Sequence, residues 1–521
     1  MRIKQLLLLF LLIPIIGFSQ TVYERHTNQV YAYLSIMAQK GYLEWNDLVT
    51  PLSKQQILEA LTTLELSKNK LTIVEQKDLQ FYLKEFSEIS LSKYQKFQQD
   101  NFKLAFTPII TAGYQNGEAI SVANKSVGLN VWGSISKHWG FQLAYQDVNE
   151  TGTGLDSGAF NLMYGSTTGK MLFRDPNQQK NQNYNELRAN ISYTFKNGFI
   201  SIGQDYLNWG YGVNGKLVLS DKAPSYPYIR LHYQPLHWLT FEYSHAWLHS
   251  GIVDSNLSYT IPNNVFDSQR EVFVNKYMAS HSIDFKLKKG VHLSMGESII
   301  YNDQLQIGYL LPIMFFKAYD NIVNRSAIQS GSNGQFFFQL SARNQILSKS
   351  HFYSTLFIDE IRISSMLNAE KARNQVGYNI GFSITDFLLP AITVGLEYTK
   401  VRPFVYRNFL PAQNYTHHQF PLGEWIGSNA DKWIGYIKYT PIAKLKLQLN
   451  YQSVRKGEIG TLWQQYYELP QMSFLNGSHD LYKEISFSSI YQILPRLNAS
   501  AQYIHRYQQP SVANFAIQFG L

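Results

Sequence analysis

Polar and apolar positions follow two different rhythms along this chain. From Thr21 to about Ser92 the apolar residues recur at helical spacing. Val30, Tyr33, Leu34, Met37 and Ala38 make one stripe, which Gly41 stops. In "PLSKQQILEALTTLE" Ser53 is a good N-cap, Gln56 completes a capping box and Leu52 can staple onto Ile57. Thr72 and Glu75 repeat that start ahead of Leu79, Tyr82, Leu83 and Phe86. The spacing predicts a small three-helix unit.

After Phe102 the period changes to 2. Phe102, Leu104, Phe106, Pro108 and Ile110 alternate with other residues. "VGLNVWGSISKHWGFQLAY" reads as a hairpin, and "LRANISYTFKNGFISIG" as another turning at Asn197-Gly198. Tight connections alternate with longer polar segments at Gln146–Asn183, Asp254–Arg270 and Arg402–Lys432. Short turns at one end and long loops at the other predict an outer-membrane antiparallel β-barrel of about eighteen strands. The faces opposite the apolar ones carry Ser, Gln, Asn, Gly and Lys, so a soluble sandwich of this size would have half a core. "ANFAIQFGL" fits the barrel as well. Phe515, Ile517, Phe519 and Leu521 lie on one face of this strand, and Asn514, Ala516, Gln518 and Gly520 on the other.

Arg2, Lys4 and the apolar run Leu6–Ile16, too short to span a bilayer, read as a signal peptide cut after Ser19. The expected organisation is a signal peptide over 1–19, a periplasmic helical domain over 20–98 and a transmembrane barrel over 99–521 in the cell outer membrane. Composition agrees, with 36 Tyr, 32 Phe and 9 Trp but only 16% charged residues. The absence of Cys excludes disulfides and thiolate metal sites. A net charge of +9 favours anionic headgroups or an acidic polymer.

Ser201–Tyr233, "SIGQDYLNWGYGVNGKLVLSDKAPSYPYIRLHY", carries a W-G-x-G element, a G-x-L-x-L-S strand and an Ala-Pro pair. These include Gly203, Trp209, Gly210, Gly212, Gly215, Leu217, Leu219, Ser220, Ala223 and Pro224. With the N-terminal "YLSIMAQKGYLEWNDLVTPLSKQQILEAL", this stretch resembles the Wzi-type capsule assembly family. The resemblance implies an eighteen-stranded barrel with a periplasmic helical bundle that holds capsular or other surface polysaccharide in a lectin-like way. The "FSQ" ending of the signal peptide resembles those of Bacteroidota, where RemB-like relatives are associated with gliding motility and adhesin display.

Tyr206, Trp209, Tyr211 and Trp425 are candidate sugar-stacking rings, with Asp205, Asn208 and Asp221 as hydroxyl partners. The alternative reading of the rings is an interfacial aromatic belt. Arg188, Glu242 and Glu397 sit at alternating positions where facing lipid would be costly, which assigns them to the lumen. His417 and His418 lack a third ligand at useful spacing. Ser280, His281, Ser282 and Asp284 do not share a face, and no phosphate loop, dinucleotide fingerprint or zinc motif occurs. The expectation is therefore no enzyme, no cofactor, no metal and no nucleic-acid partner. The expected partners are surface polysaccharide, outer-membrane lipid with lipopolysaccharide, and periplasmic, motility or secretion proteins. Gliding or adhesin handling and an oligosaccharide porin are the alternative functions.

Overall fold

The computed structural model describes residues 21–87, 96–155, 170–173, 180–262, 269–324, 331–368, 370–477 and 480–520; the signal peptide expected over 1–19 lies outside them. Three helices come first: α1 (Gln29–Gln39), α2 (Lys54–Glu65) and α3 (Ile73–Phe86). Ser53–Gln56 and Thr72–Glu75 both form complete capping boxes, so the first-turn amides of α2 and α3 are satisfied locally. Val30, Leu34, Ile57, Leu61, Leu79 and Tyr82 are fully buried between the helices.

Eighteen antiparallel strands follow. They are β1 (Phe102–Gly117), β2 (Ser121–Ile135), β3 (Trp139–Thr153), β4 (Asn181–Phe195), β5 (Gly198–Asp205) and β6 (Tyr226–Leu236). Then come β7 (Leu239–Val253), β8 (Phe273–Lys288), β9 (Val291–Asn302), β10 (Asn333–Arg343), β11 (Ser350–Glu360) and β12 (Gln375–Thr385). The last six are β13 (Ile392–Val401), β14 (Ala430–Tyr439), β15 (Leu445–Lys456), β16 (Asp480–Leu494), β17 (Leu497–Arg506) and β18 (Gln509–Phe519). β18 pairs with β1, Phe519 opposite Ile110 and Ala513 opposite Asn116, and the sheet closes. A closed sheet leaves no backbone edge for lipid to desolvate.

Side-chain alternation sorts the two faces. Ile110, Val127, Ile191, Phe515 and Ile517 point outward and are exposed, while Thr107, Ser126, Ser192 and Ser201 point inward and are buried. This is the apolar-out, polar-in arrangement of a barrel in lipid. The strands run further than hydropathy suggests. β3 continues to Thr153 and β4 begins at Asn181, inside the stretch read as a loop from sequence. Outward Asp147 and Asn149 end the apolar rhythm without ending the ladder, because a strand rising past the hydrocarbon no longer needs an apolar outer face.

Connections such as 136–138, 196–197 and 289–290 are tight at one mouth. At the other, 206–225, 303–332, 402–429 and 457–479 are long. The helices close the turn mouth. Tyr82 donates to Gln492 at 2.8 Å, Gln39 to the Lys349 carbonyl at 2.9 Å, and the Asp78 carboxylate accepts from the Lys444 amide at 2.7 Å. Lys40 pairs with Glu75 and, at 2.8 Å, with Asp386 in the β12–β13 turn. Burial works against its charge, but these hydrogen bonds prevail and hold its pKa above the usual lysine value. Glu85 moves up to about 7, through burial first and then the charge of Glu24.

Candidate functional site

The lumen is filled from both ends. Val49–Thr50, between α1 and α2, pairs inside the barrel with Asn208–Trp209 of the loop 206–225, Val49 opposite Trp209. The Trp209 amide donates to the Leu219 carbonyl at 2.9 Å, and the Gly210 amide to Leu48 at 2.8 Å. The loop 402–429 packs on this ribbon. Tyr406 and Tyr415 donate to the Leu217 and Val218 carbonyls at 2.6 and 2.9 Å, and the Trp425 indole donates to Asn214 at 2.9 Å. One apolar cluster runs through all three segments. Gly215, at φ +115°, lies so close to Glu424 that a Cβ would come within 2.4 Å of its carboxylate.

This plug consumes most of the residues expected to bind sugar. Trp209 and Trp425 are 1% and 0% exposed, and Tyr211 and Asn208 are also buried. Their rings are not available to a ligand here: Phe337 packs edge-on against Trp209 at 5.9 Å, and the Lys432 ammonium sits 5.4 Å from Trp425. Asp205 accepts both Arg188 donors at 2.6 and 2.8 Å. Tyr206 and Asp221 are only half-buried. Asp221 meets His26 at 3.1 Å, and Tyr206 lines a cleft of about 360 Å³ with Glu186, Gln204, Ser225 and His418.

Arg188, Glu242 and Glu397, the inward charges expected from sequence, are each engaged. Glu242 accepts from Arg230 at 3.2 Å and pairs with His232 at 2.5 Å. Glu397 accepts from Tyr353 at 2.6 Å and from the Val213 amide at 2.9 Å, so it also ties down the plug. Arg230 donates onward to the Pro51 carbonyl at 2.8 Å, and Arg343 to Trp45 and Asp47, both at 2.7 Å. The fold thus uses these groups to fasten an internal ribbon. Among the described residues no cluster of His, Asp and Glu has the geometry to hold a metal ion.

Above the plug, at the loop mouth, lies a second cleft of about 220 Å³. The outer ends of β10, β11 and β12 form its floor, and Lys317, Asp320 and Ser332 of the connection after β9, Phe404–Phe409 and Gln465–Tyr466 form its sides. Phe409 and Tyr466 meet edge-on at 5.7 Å, and the Phe409 amide donates to the Tyr466 hydroxyl at 3.0 Å, so both rings are fixed. Asp359 is oriented by the Tyr406 amide at 2.5 Å and Gln335 at 3.3 Å. Among the described residues no hydrogen bond engages the Glu360 carboxylate, and the Gln465 Oε1 is buried without a partner. Arg407 completes the rim, held by the Gly460 carbonyl at 2.6 Å. Fixed rings, the Glu360 carboxylate and a guanidinium around this cleft can hold a polyhydroxylated ligand.

Sequence reading missed these residues. The only local signal was the aromatic run after the Thr461–Gln464 capping box in "TLWQQYYELP".

The family model for capsule assembly protein Wzi matches residues 110–501. No curated protein sequence matches the chain. Among solved structures, the Escherichia coli outer-membrane protein Wzi, described as a carbohydrate-binding β-barrel involved in group 1 capsule assembly, superimposes with TM-score 0.59 at 12% identity. That match covers 96% of this chain and all of the other. OccK5 of Pseudomonas aeruginosa matches at 10% identity over 80% of this chain and 97% of its own, with TM-score 0.45. OccAB2 of Acinetobacter baumannii matches at 11% identity over 80% and 97%, with TM-score 0.44. With three-quarters of its length inside the family model and its sheet closed in the same fold, this outer-membrane chain belongs to the Wzi capsule assembly family.

Proposed function

We propose that the protein holds surface polysaccharide at the cell exterior without chemically altering it, using the cleft at the loop mouth. The observation that carries this reading is the position of that cleft. Immobilised Phe409 and Tyr466, the Glu360 carboxylate and the Arg407 guanidinium converge on one cleft directly above a filled lumen. Sugar rings present C–H faces to aromatics and hydroxyls to carboxylates and amides, so this is a fitting set of partners. A polymer repeats its unit, so modest contacts at several copies of the protein sum to firm retention. The likeness to the carbohydrate-binding E. coli barrel supports the same reading.

The test is binding of the host's purified surface polysaccharide to the protein in nanodiscs. Tyr466→Ala or Phe409→Ala should each weaken binding by about tenfold, the equivalent of about 1.4 kcal/mol for one lost stacking contact. In a deletion strain the wild-type gene should restore cell-bound polysaccharide, and the Tyr466→Ala gene should restore less. Unchanged binding in both variants would show that this cleft does not hold the polymer.

A further inference from the structure

The connection 303–332 leaves the loop mouth differently from the others. Part of it returns along the outside of the wall. It contains Ile307–Leu310 in a 3₁₀ turn and α4 (Phe316–Val323). Tyr309 packs on Tyr301 with ring centres 4.6 Å apart, Phe316 on His281 at 4.4 Å, and Phe315 approaches Phe336 at 6.1 Å. In β8 and β9 the odd-numbered residues face outward, yet Ala279, Ile299 and Tyr301 are buried, with Tyr309 and Phe316 as their cover.

The wall beneath is the polar exception to the apolar outer face. Tyr243, His281 and Glu297 occupy outward positions where Ile283, Met295 and Phe338 stand nearer the turn mouth. Each is met by backbone of the returning segment. The Phe316 and Lys317 amides donate to the Glu297 carboxylate at 2.6 and 3.4 Å. His281 Nδ1–H donates to the Pro312 carbonyl at 2.9 Å, and Tyr243 donates to the Tyr309 carbonyl at 2.9 Å. His281 Nε2 lies 3.2 Å from Glu297. Irregular backbone survives at hydrocarbon depth only where protein groups satisfy it, and here the wall supplies them. The other side of the segment is apolar: Ile307 is 76% exposed, Ile313 89%, Phe315 56% and Ile322 78%. Such a surface in water would be a liability, but this one runs on into the barrel's own lipid face.

We propose that residues 305–323 form a bracket seated in the bilayer, with lipid acyl chains covering Ile307, Ile313, Phe315 and Ile322, and with Glu297 and His281 fastening it to the wall. The inner side of the segment lends Lys317 and Asp320 to the rim of the loop-mouth cleft, but the lipid contact of its apolar side does not rest on what that cleft binds. The bracket widens the barrel's lipid contact on the β7–β10 side.

The chain has no cysteine, so one introduced thiol is unique. A spin label on Ile313→Cys in lipid nanodiscs should relax with dissolved oxygen and not with a water-soluble nickel chelate, as a label on lipid-facing Val127→Cys does. Leu367→Cys, in a loop, supplies the opposite pattern. Adding Glu297→Ala should restore nickel relaxation at position 313 while the barrel keeps its heat-modifiable gel mobility. Nickel relaxation at Ile313→Cys in the otherwise wild-type protein would overturn the proposal. Shielding from both reagents together with spin–spin broadening would overturn it too, in favour of a second copy on this face. No change on adding Glu297→Ala would overturn the fastening role.

Discussion

Replacing Arg230 with Met is expected to destabilise the folded protein by about 3–5 kcal/mol, the cost of stranding a buried charge by removing its partner. Arg230 is 2% exposed and holds two structures at once. Toward the wall it donates to Glu242 at 3.2 Å; toward the plug it donates to the Pro51 carbonyl at 2.8 Å. Its guanidinium also lies 5.5 Å from the rings of Tyr23 and Phe199. With Met there, the Glu242 carboxylate keeps only His232, and the ribbon at Val49–Pro51 loses its tie to the wall. Denaturant unfolding in detergent measures the first effect, and protease cleavage of residues 21–87 in the folded barrel measures the second. Arg230→Met/Glu242→Gln should recover a large part of the loss, because no charge is then left unpaired. A single variant within about 0.5 kcal/mol of wild type, the range of an ordinary surface change, would show that Arg230 does not fasten the plug.

Trp209→Ala carries the other large effect, about 3–5 kcal/mol, as expected for emptying the site of a fully buried Trp. Its indole packs on Phe337 from the wall, and its backbone joins the ribbon from the helical unit to the loop 206–225. The loss should therefore appear as a lower unfolding midpoint and easier proteolysis of the plug. Tyr466→Ala should show the reverse, a near-normal midpoint with weakened polysaccharide binding. If Trp209→Ala left the midpoint in place and removed binding, the assignment of plug and cleft would be exchanged.

These two aromatics show what the sequence can and cannot disclose. The caps at Ser53 and Thr72, the change from period 3.6 to period 2 and the apolar-outward strands are local, and each is legible because its cause lies within a few residues. The W-G-x-G stretch was legible as a family mark, but its role was not. Trp209 and Trp425 in polar connections read equally well as ligand platforms or as belt residues. Their burial depends on partners far away in the chain, Val49 for one and Asn214 for the other. The loop-mouth cleft is assembled from the ends of three strands and three loops, so no single window contains it. Glu297 and His281 did leave a trace, since each places a polar group on the apolar register of its strand. That exception marks the segment draped over them.

A barrel that holds its ligand outside a filled lumen, as proposed, does not conduct. Planar-bilayer recording of the purified protein tests that most directly. A lumen filled by residues 45–53, 206–225 and 402–429 predicts a flat current trace, with steps emerging only when Arg230→Met loosens the ribbon. Regular open-channel steps from the wild-type protein, as from a diffusion porin, would contradict it.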